Sequence, residues 1–341
     1  MPAQTIDVRT VLRGLTPVTP GPAATAPHPS RVLPATAAKL PVDTVAAAAV
    51  MAGVRLELAG TATAARLSVT THPAPGSVAP TMTPAFSVWL GDQRHSRVEV
   101  TAGTQIVEVP LPPRPAAASV TVYLPDSVPV TIDSIQAVGG TLLAPPGGLR
   151  WLAYGDSITQ GWSATDPGLA WPAVAGRHLG LDVINLGFAG SARGELPAAA
   201  QLAETAAEVI TLAWGTNCWS SIPMDAPYIE QAMRLFLTTV RQGHPDVPII
   251  VISPIVRPAA EHTANRFGAT LTDLRNGIER AAGQIAAGDD LLTLLPGRDL
   301  VRDDELVDGI HPGDDGHSSL ASALIPILAD CLTRSPAWHQ S

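Results

Sequence analysis

Lysine is almost missing: Lys39 is the only one in 341 residues, so the remaining basic side chains are arginines. That scarcity excludes a Ser-x-x-Lys mechanism and a phosphate-cradling Gly-Lys-Ser/Thr loop. Cysteine is equally scarce. Cys218 and Cys331 are too few and too far apart to form a disulfide framework, and both read as free thiols. Long apolar runs are lacking, since the longest run of small apolar residues, Val45 to Val54, is about half of what a membrane span needs. The start, Met-Pro-Ala-Gln-Thr-Ile-Asp-Val-Arg, has neither the basic end nor the apolar centre of a signal peptide, and a cytoplasmic location is expected. Positive charge is also short. With 21 basic against 30 acidic residues the net charge is −9, which argues against nucleic acid or an anionic membrane as partner. No Gly-x-Ser-x-Gly elbow occurs, and the glycine-rich run Gly187 to Gly194 does not match the dinucleotide pattern, so no cofactor is expected.

What is present divides the chain in two. At 341 residues, 46% of them hydrophobic, the chain can build two cores. Between residues 42 and 143 short alternating runs such as Ala65-Arg-Leu-Ser-Val-Thr and Gln105-Ile-Val-Glu-Val-Pro are separated by turns such as Gly91-Asp92, predicting an antiparallel, jelly-roll-like β-sandwich. The proline- and alanine-rich first forty residues are expected to pack along a domain surface. From Arg150 the pattern changes to alternating strands and helices. Strands are predicted at 149–154, 181–186, 209–213, 248–252 and 291–295, and helices at 170–179, 196–205, 226–242, 265–287 and 316–332. Such alternation implies a parallel sheet covered on both faces. The expected division is a sandwich over residues 1–145 and an α/β domain over 149–335, hinged at Pro145-Pro146-Gly147-Gly148.

The chemistry-bearing residues cluster in the second half. Trp151-Leu-Ala-Tyr-Gly155-Asp156-Ser157 runs an apolar strand into a turn, delivering a hydroxyl at the end of a buried strand. Asp308-Gly-Ile-His311 supplies an imidazole with a carboxylate three residues before it. Serine, histidine and aspartate are the parts of a serine acyl-enzyme: His311 can take the serine proton, and Asp308 can fix the tautomer. Plainer readings exist for each. Gly-Asp-Ser alone is a common turn, Asn217 can form a loop, and Gly190 can serve a turn that needs positive φ. Asp308 to His317 could hold a metal, but nothing else in the sequence completes such a site, and none is expected. His317, opening a helical run, reads as a packing or capping residue.

Taken together, Gly155-Asp156-Ser157, Asn185-Leu-Gly-Phe-Ala-Gly190, Trp214-Gly-Thr-Asn217 and Asp308-Gly-Ile-His311-Pro312 stand in order and at the spacing of the GDSL or SGNH serine hydrolases, which the chain resembles from about Leu149 to Leu332. The likeness departs only at Ile158, where the family more often has leucine. It implies a flavodoxin-like three-layer SGNH hydrolase domain, with Ser157, Asp308 and His311 as catalytic triad. Oxyanion donors would be the Ser157 N–H, the Gly190 N–H and the Asn217 amide, each worth about 2.7–4 kcal/mol of barrier. Asp156, Trp162 and Trp219 are expected to contact substrate, whereas Trp151 and Trp171 read as core. The implied function is an ester hydrolase, or an O-acyltransferase acting on a hydroxylated or glycosylated small molecule of polyketide type, with an ester or thioester as acyl donor. A different class, a carbohydrate-binding module with an inactive hydrolase domain, would not call for the full set of catalytic residue types.

Overall fold

The structure, a computed structural model, describes residues 4–16, 30–73 and 83–334. Strands β1 (Thr5–Ile6), β2 (Leu12–Arg13), β3 (Arg55–Leu58), β4 (Ala64–Thr71), β5 (Ala85–Leu90), β6 (Gln93–Glu99), β7 (Gly103–Pro110), β8 (Val120–Tyr123) and β9 (Val130–Val138) build two antiparallel sheets. Their orders are β1-β9-β4-β7 and β2-β3-β8-β5-β6. Alternation makes the sandwich: in β4 Leu67 and Val69 are buried while Arg66 is exposed. Leu56, Leu58, Phe86, Val88, Val107 and Val122 from both sheets share that core.

The second half is the expected doubly covered sheet. Strands β10 (Arg150–Gly155), β11 (Asp182–Gly187), β12 (Val209–Ala213), β13 (Ile249–Ile252) and β14 (Leu292–Leu295) are all parallel, in the order β11-β10-β12-β13-β14. That is the flavodoxin-like order, with the first strand inside the sheet. Side chains alternate along β10 and sort the layers. Leu152 and Tyr154 face helices Leu196–Glu204, Ala226–Gly243 and Leu271–Ala286. Trp151 and Ala153 face helices Trp171–Leu179 and Asp314–Thr333. Trp151 and Trp171 lie fully in this core, their rings 5.7 Å apart. The helix predicted from residue 265 begins only at Leu271. Asn265 Oδ1 accepts from the Phe267 and Ala269 amides and holds a loop, and Thr270 with Asp273 forms the capping box that starts the helix. Among the described residues no helix is long and apolar enough to cross a membrane.

In its described part the N-terminal segment does more than pack along a surface: β1 adds to the edge of one sandwich sheet and β2 to the edge of the other, and Val11 is fully buried. Val32, Leu40 and Ala48 pack into the core of the parallel-sheet half, although they precede most sandwich strands. Arg31 explains that placement. Its side chain is completely buried and donates to four carbonyls: Nε to Val50 O (2.8 Å), Nη1 to Asn185 O (2.8 Å) and Gly187 O (2.7 Å), and Nη2 to Ala47 O (2.7 Å). Burial pulls its pKa down to about 9, which leaves it charged at neutral pH. The halves also meet through Arg55, bonded to Val183 O (2.9 Å) and paired with Asp182 (2.9 Å).

Arg31→Met keeps the apolar stem but strips the donor from four buried carbonyls. The expected loss is about 3–5 kcal/mol of unfolding free energy, the scale of breaking a buried charged network. Urea unfolding of the two proteins measures it, and a loss below about 1 kcal/mol would show that water or rearrangement satisfies those carbonyls.

Candidate active site

Ser157 sits where β10 ends and the short helix Ser157–Gln160 begins. The bend has no room for a side chain at Gly155, where a Cβ would lie 2.1 Å from Thr159 Oγ1 and 2.3 Å from Ala213 O. Asp156 caps the helix by accepting from the Ile158 amide (3.0 Å). The serine Oγ then lies 2.9 Å from His311 Nε2, and His311 Nδ1 lies 2.8 Å from Asp308 Oδ2. The second Asp308 oxygen accepts from the amides of Ile310 (3.0 Å) and His311 (2.8 Å), so one carboxylate shapes the turn and orients the ring. Burial pushes the Asp308 carboxyl upward, but the hydrogen bonds from His311 and Ile310 outweigh it and hold the pKa below the usual value. An ionised Asp308 fits a neutral imidazole with its proton on Nδ1 and a free lone pair facing the serine.

The three expected oxyanion donors end neighbouring strands. Ser157 follows β10, Gly190 lies three residues beyond β11, and Asn217 lies in the short turn Thr216–Cys218 after β12. The Ser157 N–H is a first-turn helix donor without an intrahelical partner, and among the described residues neither it nor the Gly190 N–H bonds to a protein acceptor. Gly190 adopts φ +69°. The Asn217 amide spends one hydrogen on Ala192 O (3.3 Å), which ties the second donor loop to the third and leaves its other hydrogen free.

The remaining expectations fare differently. Trp162 stands beside the triad, its ring 6.0 Å from that of His311. Its loop is held by Thr165, whose amide and hydroxyl donate to Asp314 (2.8 and 2.6 Å), and by Ser163 in the left-handed region at φ +70°. Trp219 is half-buried: Nε1 donates to Thr263 O (2.8 Å) and Arg257 stacks 4.7 Å from the ring. Asp156 requires a correction. It is 3% exposed, and its carboxylate takes the Ile158 and Thr216 amides, so it joins the β10 and β12 turns and is turned into the protein. Burial lifts its pKa to about 6. Arg257 was not anticipated. Burial lowers its pKa while the charge of Asp308 raises it, and its guanidinium lies over the Trp219 ring and donates to Ser220 Oγ (3.1 Å). Asp166 was missed as well, because Asp-Pro-Gly reads as a turn; it is 1% exposed and accepts from Ser87 Oγ (2.7 Å), Trp89 Nε1 (3.2 Å) and Arg94 (3.4 Å) of the sandwich.

His317 packs rather than reacts. It is fully buried, with Nδ1 3.4 Å from the Trp171 amide and Nε2 3.3 Å from Trp162 O. Among the described residues no group of three histidine, cysteine, aspartate or glutamate side chains is placed to hold a metal ion.

A family model described as GDSL-like Lipase/Acylhydrolase matches residues 150–329. No curated protein matches the sequence. Among solved structures the chain is similar to the salicylyl-acyltransferase SsfX3 from a tetracycline biosynthetic pathway, at 22% identity and TM-score 0.79 over 94% of each chain. It is similar to a family two carbohydrate esterase from Clostridium thermocellum, at 17% identity and TM-score 0.63 over 82% of this chain and 92% of that one. An acetyl xylan esterase, Est2A, from Butyrivibrio proteoclasticus shares 14% identity at TM-score 0.64 over 97% of this chain and 99% of its own. At these identities the likeness is one of fold, and it extends over the sandwich as well as the parallel sheet.

Burial draws the His317 pKa down to about 4 from 6.5, so between those values the unfolded chain binds a proton that the folded one refuses. Stability from this group is therefore lost as pH falls from about 6.5 to about 4, by roughly 3 kcal/mol. Asp156, raised to about 6, acts with the opposite sign over nearly the same window, gaining stability as pH falls. The wild-type curve alone conceals both. Subtracting the stability of His317→Asn from wild type across pH 4–7 isolates the first, and a flat difference would mean that His317 binds its proton equally in the folded and unfolded chains.

Proposed function

The chain belongs to the GDSL-like lipase/acylhydrolase family, and from that premise we propose that it moves acyl groups through an ester on Ser157 to water or to a small hydroxylated acceptor. The observation that carries this reading is the continuous relay from Ser157 Oγ through His311 to Asp308, with both links under 3 Å at 2.9 and 2.8 Å. In the first half-reaction the serine oxygen attacks the donor carbonyl carbon while His311 Nε2 takes its proton. The negative charge gathers on the carbonyl oxygen, to which the Ser157 and Gly190 amides and the free Asn217 hydrogen can donate. Collapse breaks the bond to the leaving oxygen or sulfur, which receives the proton from His311, and Asp308 stabilises the transient imidazolium. In the second half-reaction an acceptor hydroxyl gives its proton to His311 and attacks the acyl carbon; collapse then breaks the bond to Ser157 Oγ, which takes the proton back from His311.

The full relay counts against a carbohydrate-binding protein with a dead hydrolase domain, because such a protein has no need to hold serine and histidine at 2.9 Å. Trp162, next to the His311 ring, is suited to cover the flat side of a sugar or aromatic acceptor, and we place acceptor and acyl donor among small molecules met in the cytoplasm. Transfer to an alcohol, rather than to water, depends on how dry the acyl-enzyme is kept. Product analysis by mass spectrometry, with acyl esters and thioesters presented with and without glycosylated acceptors, distinguishes the two.

Ser157→Ala is expected to lose fluorophosphonate labelling and to cut p-nitrophenyl ester turnover by at least about 10³-fold with an unchanged melting temperature. Labelling that persists would place the nucleophile elsewhere. Asp308→Asn should lower kcat on the order of 10²–10⁴-fold, since the ring loses the acceptor that fixes its tautomer. Steady-state kinetics on one ester serve both, and a change in KM alone for Asp308→Asn would remove it from the relay.

A further inference from the structure

Four of the eight exposed large apolar side chains of the described residues, Leu196 (47%), Tyr228 (61%), Leu235 (56%) and Phe267 (60%), line a single groove of about 670 Å³. Such clustering marks an interaction site, and the volume lies within the roughly 300–1,000 Å³ usual for small-molecule pockets. Ile222 and Met224 complete its floor. The carboxylates along its rim are already engaged: Glu195 accepts from the Tyr154 hydroxyl (2.7 Å) and the Arg193 amide (3.1 Å), and Asp225 caps a helix through the Tyr228 amide (2.7 Å). The groove therefore presents apolar surface to an apolar ligand.

Helix Ala226–Gly243 supplies one side of it, through Tyr228, Gln231 and Leu235, and the rest comes from the continuations of the two loops that carry the proposed oxyanion donors. The Ile222 amide donates to Asn217 O (3.0 Å) and the Met224 amide to Cys218 O (2.8 Å), while the stretch from Arg193 to Leu196 closely follows Gly190. Both loops lead into helices Leu196–Glu204 and Ala226–Gly243, which cover one face of the parallel sheet. His311 arrives from the other face, just before helix Asp314–Thr333. The leaving oxygen must take its proton from His311, so the alcohol part of an ester lies on the His311 side. The acyl substituent then extends the opposite way.

We propose that this groove is the acyl-binding site and that it fits a bulky apolar acyl group, medium-chain or aromatic, in preference to acetyl. The inference rests on the acyl-Ser157 reading and adds the donor class to it. An acetyl group is too small to cover Tyr228, Leu235 and Phe267, whereas a longer chain or a ring shields more of that surface from water.

The test compares kcat/KM on p-nitrophenyl acetate, octanoate and benzoate for wild type, Leu235→Arg and Phe267→Ala. Wild type should favour octanoate or benzoate over acetate at least tenfold, and either variant should reduce that ratio at least tenfold. A wild-type preference for acetate, or a ratio that stays within twofold in both variants, overturns the proposal. So does a wild-type dimer that Leu235→Arg converts to monomer with the ratio unaltered, because the apolar face would then be an interface between copies. Retained turnover in Ser157→Ala would defeat the acyl-serine reading by itself. Calorimetric titration with octanoate still decides the groove in that event: binding weakened at least tenfold by Leu235→Arg supports it, and equal binding rules it out.

Discussion

A buried cation held by main-chain carbonyls, with no carboxylate hydrogen-bonded to it, anchors one of the contacts by which the two halves of this molecule meet. Arg31 has left water entirely, and four main-chain carbonyls replace its hydration. A buried charge is costly unless each of its donors finds an acceptor, so the arrangement tolerates little displacement of any of the four. Two of them, on Ala47 and Val50, end the N-terminal helical stretch; the other two, on Asn185 and Gly187, end β11. Its guanidinium also lies 5.2 Å from the Phe188 ring, two residues before Gly190. The loop of Gly190, proposed as an oxyanion donor, is thereby tied to Arg31.

The sandwich reaches the other side of the site by a different route. Asp166, taking hydrogen bonds from Ser87, Trp89 and Arg94, anchors the loop whose outer part carries Trp162. Arg177 lies 4.1 Å over the Trp89 ring and donates to Gly168 O (2.7 Å), adding a second grip on the same loop. Thr165 closes the circle by bonding to Asp314, just beyond His311. The triad thus stands between a loop set by the sandwich and a loop set by Arg31, and the β-rich half contributes position rather than chemistry. The parallel sheet alone holds serine, histidine and aspartate, but what surrounds them is assembled from both halves.

The fold and the triad were legible because their signals are repetitive or collinear. Period-two runs give the sandwich strands, strand–helix alternation gives the parallel sheet, and Ser157, Asn217, Asp308 and His311 each sit in a short block with its own turn chemistry. What escaped is local and singular. The strands β1 and β2 have two residues each, too short for any period. Arg31 in a proline-rich stretch looks like a surface cation, and nothing near it names Asn185 as its partner. Asp156 was misjudged because a carboxylate next to a nucleophile suggests contact with substrate, whereas its place before a helix makes it a cap, a reading that the same residues also permitted. Asp166 and Arg257 matter only through contacts distant in sequence, on which a single chain is silent.

The span between Arg31 and its acceptors, 154 residues to Asn185 and 156 to Gly187, governs the order in which the chain can be completed. Translation delivers the sandwich strands before β11, so the stretch from Arg31 to Val50 has its acceptors only once β11 has emerged. Until then a guanidinium and the apolar surfaces of Val32 and Leu40 wait without their partners. Nascent chains ordinarily fold domain by domain from the N-terminus. Here the stretch from Arg31 to Val50 precedes most sandwich strands yet takes its partners from β11, and closing so long a loop slows that docking step. The molecule consequently has two architectural halves joined by one long-range contact that needs Arg31 and β11 together.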